Sequence, residues 1–249
     1  MPQNCRKTRD SATCTRKGVK VNEINYDAEF VKLVARLHGA RQQKYDATLP
    51  STTAETSQKS AYVYKKLLLH ACCAPCSTYC LTQVLPHFDV TLYYANDNIT
   101  CREEWDKRLG ELTKLVDIVN SGKFVVATPL PLKLVVQPFA PQRYYNIANG
   151  YETEKEGGLR CTRCFGLRLS DTRDFALSNG FDYFGTTLTV SPYKNSKLLN
   201  TIGKSLQADS LTWLPSDFKK RGGYNQSILL SEKYQLYRQH YCGCDFSKI

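Results

Sequence analysis

Leu67-Leu68-Leu69-His70-Ala71-Cys72-Cys73-Ala74-Pro75-Cys76 is the stretch from which the fold of this chain can be read. Lys65–His70 reads as a first strand. Its three consecutive leucines fit burial on both faces, as in a parallel sheet covered by helices. A helix is expected from about Cys76 to Val84, stopped by Pro86. The turn between strand and helix carries three thiols in five residues. Thiols gathered so closely suit zinc, iron–sulfur clusters or two-electron dithiol chemistry.

The same alternation continues outward. Phe88–Tyr94 reads as a second strand. Thr100-Cys101-Arg102-Glu103 matches a capping box and opens a helix with Trp105, Leu109, Leu112, Val116 and Val119 at helical spacing, ending at Asn120-Ser121-Gly122. Lys123–Ala127 is expected as a third strand, and Pro129, Pro131, Pro138 and Pro141 make the next stretch irregular. A helix opened by Cys161 runs to Asn179-Gly180, followed by a strand over Asp182–Thr187. Lys194–Leu206 and Ser227–Tyr241 read as helices around a short strand at Leu211–Leu214. This order predicts an α/β domain with a mostly parallel sheet. Ligands in such domains sit beyond the carboxyl ends of the strands, where the Cys72–Cys76 run falls.

Residues 1–22 are polar and basic without periodicity, an unstructured composition. Residues 26–38 form a short amphipathic helix with Phe30, Leu33, Val34 and Leu37 on one face, and 39–60 read as a linker. The expected organisation is therefore an extension over 1–60 and one α/β domain over 61–249. No apolar run approaches the ~20 residues of a membrane span, and the N-terminus has no apolar signal segment. The expected location is cytoplasmic. In that reducing compartment clustered cysteines read as metal or redox sites rather than structural disulfides.

The 34 Lys and Arg against 23 Asp and Glu give a formal charge of +11, which points to a polyanionic partner, nucleic acid first. Residues 1–20 hold six of these cations and one Asp, so the body remains basic without them. Arg160, Arg163, Arg168 and Arg173 surround Cys161 and Cys164, and Lys219-Lys220-Arg221-Gly222-Gly223-Tyr224 is a basic, flexible turn. Each is a candidate contact for phosphates, although such runs are commonly just solvated faces.

Seven of the eleven cysteines lie in three clusters: Cys72, Cys73 and Cys76; Cys161 and Cys164; Cys242 and Cys244. The doublets Cys72/Cys73 and Cys161/Cys164 fit a four-thiolate zinc site or a [4Fe–4S] cluster, and spacing alone divides these nearly evenly. Cys242 and Cys244, one residue apart, favour a labile redox pair over two metal ligands or two idle thiols. Cys76 is a core thiol, a spare ligand or a ligand to a second metal. Cys5, Cys14, Cys80 and Cys101 read as incidental.

Together the motifs resemble the cobalamin-independent epoxyqueuosine reductases, the QueH family. The resemblance rests on Leu67–Cys76, Asn96-Asp97-Asn98-Ile99, Glu156–Phe165, Thr186–Asn195, Asp217-Phe218-Lys219-Lys220 and Tyr237–Cys244, six runs in the same order. It covers about residues 62 to 247, and Ile24-Asn25-Tyr26-Asp27 also looks family-like. It implies reduction of epoxyqueuosine to queuosine at the wobble position of tRNA. It implies a [4Fe–4S] cluster on Cys72, Cys73, Cys161 and Cys164, and a redox-active disulfide between Cys242 and Cys244. The implied fold is the nucleotide-hydrolase-like α/β domain shared with PP-loop enzymes. The first turn lacks their Gly-rich phosphate loop, which argues against ATP use. The chain departs from the family pattern at Asp97, where proline is expected, and at Tyr193, where histidine is usual. A further iron ion on Cys76 and Asp97, and an unidentified electron donor, complete the expectation. Two other classes compete: a zinc-organised tRNA-binding module without catalysis, and a persulfide-using tRNA thiolation enzyme that would need ATP.

Overall fold

The computed structural model describes residues 24–47 and 64–247. The expectations for residues 1–22 and for most of the linker fall outside these. Five strands, β1 (Lys66–His70), β2 (Asp89–Tyr94), β3 (Lys133–Val136), β4 (Tyr183–Thr186) and β5 (Thr212–Trp213), form one sheet in the order β3-β2-β1-β4-β5. Every strand pairing is parallel. The chain builds from β1 outward to β3, then returns to the other side of β1 for β4 and β5. The direction of winding thus reverses between β1 and β4, where such sheets open a crevice at their carboxyl edge.

The triple leucine behaves as its sequence suggests. Leu67 and Leu69 enter the core on one face, with Val90, Leu92 and Tyr94. Leu68 enters the opposite core, with Tyr93, Phe184 and Trp213. The first face is covered by α2 (Ala74–Val84) and α3 (Arg102–Asn120), the second by α5 (Leu159–Ser178) and α6 (Ser196–Ser205), with the short α4 (Pro141–Ala148) packed on α5. Helix α1 (Tyr26–Ala47) is longer than expected and runs through the first part of the supposed linker. It buries Phe30 and Leu33 in the first core, and the Phe30 ring meets Phe218 edge-on at 5.5 Å.

Three elements differ from the sequence reading. The expected strand Lys123–Ala127 is a loop: Phe124 turns inward to stack on Tyr234, while Val125 is exposed. The edge strand β3 instead lies beyond the two prolines. Its entry is fixed by the Asn120 amide, which accepts from the Leu132 N–H at 2.8 Å and donates to the Leu132 carbonyl at 3.0 Å. The expected capping box at Thr100 is not made. The N-cap is Cys101, whose thiol donates to Glu103 at 2.9 Å, and the buried Thr100 hydroxyl has no side-chain hydrogen bond. The last helix, α7 (Gly223–Lys233), stops well before Tyr241. Gln235 takes φ +50° and the chain leaves as an extended strap. Helix α3 receives it: Lys114 donates to the Gln235 carbonyl at 2.7 Å, and Glu111 accepts the Tyr237 N–H at 2.9 Å. These side-chain contacts replace the hydrogen bonds a longer helix would make.

The basic turn after β5 is also spent within the fold. Arg221 pairs with Asp27 of α1 at 2.9 Å and Lys219 with Asp217 at 3.0 Å, leaving Lys220 exposed. Gly223 is required there, since a Cβ would lie 1.9 Å from the Phe218 carbonyl oxygen. Among the described residues no helix is long and apolar enough to cross a membrane.

Candidate active site

The turn after β1 places Cys72 at the crevice between β1 and β4. Its N–H meets the Thr187 hydroxyl at 3.4 Å, and its sulfur lies 3.6 Å from the same oxygen. Cys73 is the N-cap of α2, with Pro75 in the first turn, so the helix starts at Ala74 rather than Cys76. The sulfurs of Cys72, Cys73 and Cys76 lie within 4.8 Å of one another, a spacing that can hold a metal ion. Hydrogen bonds from the Cys73 and Cys76 thiols hold Cys72 well below the usual thiol range, with help from Arg168. Donating to Cys72 pushes the Cys73 thiol up to about 12 and raises Cys76 as well. Cys72 is therefore the most acidic thiol of the group.

Arg168 is the electrostatic centre of the site. It projects from α5, is 2 % exposed, and has no carboxylate within ion-pair distance among the described residues. Its Nε donates to His70 Nε2 at 3.2 Å and its Nη2 donates to Asn96 Oδ1. Asn96 in turn donates to the Ala71 carbonyl at 2.8 Å. His70 Nε2 also lies 3.2 Å from the Ala95 carbonyl, and its Nδ1 lies 2.9 Å from the Thr186 hydroxyl. Burial and the neighbouring guanidinium push the His70 pKa down to about 3, so the ring is neutral. The groups that act on Arg168 are thiols: Cys164, Cys72 and Cys242. A buried cation facing sulfur rather than carboxylate fits a site for an anionic, thiolate-bound group.

Cys161 and Cys164 stand in the first turns of α5. The Gly157 N–H donates to the Cys161 sulfur at 3.2 Å. Cys164 is buried and pushed up to about 12 by that burial. It belongs to a small cluster with Tyr144, Ala148 and Cys244.

The strap brings the third cluster in. Arg108 of α3, 3 % exposed, donates to the Cys242 carbonyl at 3.0 Å and the Tyr241 carbonyl at 3.3 Å. Asn98 donates to the Cys242 carbonyl at 3.4 Å, and the Thr100 N–H donates to the Gly243 carbonyl at 3.4 Å. Gly243 has φ +111°, and a Cβ there would lie 2.9 Å from Ile99. Cys242 points to Lys194, whose ammonium lies 3.4 Å from the sulfur and 2.7 Å from Glu156. Burial raises the Cys242 thiol, while Lys194 and Arg168 oppose the rise. Both strap cysteines are free thiols.

All six cysteines singled out for this chemistry thus flank the carboxyl edge of the sheet, with Cys76 beside the first doublet. The tight sulfur group is Cys72, Cys73 and Cys76, whereas Cys164 is linked to it through Arg168 and Cys161 lies three residues before Cys164 on α5. Asp97 is buried and its carboxylate accepts from Arg143 at 2.9 Å, apart from the thiols. Of the arginines expected to meet phosphate, Arg160 is buried and donates to the carbonyls of Tyr151, Glu152 and Glu154. Arg163 donates to the Ile147 carbonyl, and Arg173 pairs with Asp174. These three shape the protein itself. Lys194 and Arg108 were not singled out from the sequence. Arg108 had a readable signal: it occupies a core position in the row Trp105, Arg108, Leu112, Leu115 of α3, where a charge requires a buried partner.

Comparison with known proteins identifies the family. The family model described as "Epoxyqueuosine reductase QueH" matches residues 67–249. A Staphylococcus aureus protein named epoxyqueuosine reductase QueH is 37% identical over 93% of this chain and 87% of its own length. A Streptococcus pyogenes protein of the same name is 36% identical over 88% of this chain and 84% of its own. One from Thermotoga maritima is 31% identical over 74% and 90% respectively. On the extent of these matches, the chain belongs to the epoxyqueuosine reductase QueH family.

Proposed function

We propose that this chain reduces epoxyqueuosine to queuosine in tRNA, with Cys72, Cys73, Cys161 and Cys164 holding a [4Fe–4S] cluster and Cys242 with Cys244 acting as a dithiol. The observation that carries the reading is that one cysteine from each of three separate clusters, Cys72, Cys164 and Cys242, acts electrostatically on the buried Arg168. The family membership supplies the reaction class.

Removing the epoxide oxygen as water, with an alkene left behind, takes two electrons and two protons. Oxidation of the Cys242 and Cys244 thiols to one disulfide releases that number of each. Two C–O bonds break, one C=C and one S–S bond form, and an external electron donor must then reduce the disulfide. The cluster, when bound, would pass electrons singly to or from this pair. The protein's own groups prepare the exchange. Lys194 favours the Cys242 thiolate and is itself held protonated by Cys242 and Glu156, against the effect of its burial. Arg108, Asn98 and the Thr100 N–H fix the strap so that Cys242 stays beside Lys194. Asp97 is engaged by Arg143, which leaves Cys76 as the candidate thiol for a further iron. The +11 charge supports a tRNA substrate.

The test is conversion of epoxyqueuosine-bearing tRNA by anaerobically purified protein with a chemical reductant. Wild type should convert it. A Cys242→Ser variant should keep its iron and lose multiple turnover. Stoichiometric zinc with no conversion would instead favour the zinc-organised binding module.

A further inference from the structure

The segment Ser191-Pro192-Tyr193-Lys194-Asn195 divides its side chains sharply. Lys194 turns inward, 8 % exposed, and reaches the Cys242 sulfur. Tyr193, the preceding residue, turns outward and is 74% exposed, more than any other large hydrophobic residue described. Its N–H is held by the Ser191 hydroxyl at 3.3 Å, so the backbone beneath it is tied. Its ring makes no ring contact, and its hydroxyl no hydrogen bond, among the described residues. The Lys194–Glu156 pair joins this segment to the start of α5, where Leu159 is also 57% exposed, two residues before Cys161. An exposed aromatic ring and an exposed aliphatic side chain therefore stand next to two residues of the thiol site, Lys194 and Cys161.

We propose that Tyr193 is a substrate-binding residue whose ring stacks on an unpaired nucleobase next to the one being reduced. This rests on the tRNA reading above. A base delivered to Cys242 must leave its stack, and the adjoining nucleotides then pass over the segment that carries Lys194. Flat apolar rings at such positions hold single-stranded bases without reading their identity. The interaction is with a π-face, so it adds affinity without adding a phosphate contact.

The experiment compares wild type with Tyr193→Ala, Tyr193→Phe and Tyr193→Trp, using an anticodon stem-loop RNA and the full tRNA as probes. Loss of one stacked base corresponds to a weakening of about 5- to 150-fold. Tyr193→Ala should show that loss, seen in Kd and in KM with kcat nearly unchanged. Tyr193→Phe and Tyr193→Trp should bind like wild type. The slope of log Kd against log salt should be the same in all four proteins, and so should iron content and thermal stability. If Tyr193→Ala binds like wild type while wild type binds in a salt-dependent way, the stacking role is wrong and the tRNA reading stands. A change confined to the rate with a protein electron donor would also overturn it. If wild type binds neither RNA and reduces the free nucleoside equally well, the tRNA reading itself falls and this inference with it.

Discussion

Arg108 offers the most demanding test of how the strap is held. Its guanidinium is 3 % exposed, and the Glu104 carboxylate 2.6 Å away is 11% exposed, so the pair is not a surface ion pair. Arg108 also donates to the carbonyls of Tyr241 and Cys242, and Glu104 also accepts from the Tyr237 hydroxyl at 3.3 Å. Arg108→Met keeps an unbranched apolar stem in the site and removes every donor. It strands the Glu104 carboxylate and weakens the strap together. Breaking a buried pair on one side costs about 3–5 kcal/mol. Surface pairs of the same residues contribute about 0–1 kcal/mol. Urea unfolding followed by circular dichroism distinguishes the two, provided the m-value is unchanged. The double variant Arg108→Met/Glu104→Gln removes the stranded charge and should recover most of the loss, because the introduced amide carbonyl can still accept from Tyr237. A single-variant loss under about 1 kcal/mol, or no recovery in the double variant, would show that Arg108 and Glu104 do not act as a buried pair.

Gly243→Ala should be tolerated by the domain but not by the loop. An L-residue at φ +111°, with its Cβ against Ile99, adds strain of about 1–3 kcal/mol, so iron content should persist while multiple turnover falls; unchanged turnover would show that the loop geometry is not needed. Lys194→Met should raise the Cys242 thiol further, since Lys194 is the leading influence opposing burial. Alkylation of Cys242 at neutral pH, followed by peptide mass spectrometry, should slow several-fold, and an unchanged rate would remove Lys194 from the thiolate's support. Burial raises Asp97 from 3.8 to about 6, so the folded state binds this proton more tightly than the unfolded state. Asp97 thus lowers stability as pH rises from about 4 to about 6. Asp97→Asn, with Arg143 still paired to Asp171, should gain over wild type above pH 6 and gain little below pH 4; a gain that is flat with pH would contradict this.

Much of the fold was legible because strong local signals agreed with tertiary demands. The triple leucine implied burial on both faces, and β1 is covered on both. The cysteine doublets implied strand-end and helix-start positions, and the chain folds them there. What could not be read was decided by side chains reaching backbone over long sequence distances. Asn120 chose Leu132 as the entry to β3, although Lys123–Ala127 is equally apolar. The α3 residues Glu111 and Lys114 drew the strap out of a helical pattern that sequence periodicity extended to Tyr241. The arginines near Cys161 illustrate the opposite limit. Counting charges marked four of them for phosphate, yet Arg160 is buried against carbonyls and Arg168 lies within the thiol site. Their local sequences contain no signal of those partners, apart from the placement of Arg168 beside Phe165 and Leu169 on the buried stripe of α5.

The converging thiols are proposed to hold an iron–sulfur cluster. The most direct test is the absorption spectrum and iron content of anaerobically purified protein, for wild type and for Cys72→Ser, Cys73→Ser, Cys161→Ser, Cys164→Ser and Cys80→Ser. A bound cluster gives a brown wild type whose broad visible absorbance bleaches on reduction, with lower iron in the first four variants and unchanged iron in Cys80→Ser. Colourless wild type carrying stoichiometric zinc, or full iron in Cys161→Ser and Cys164→Ser, would contradict a cluster on these thiols.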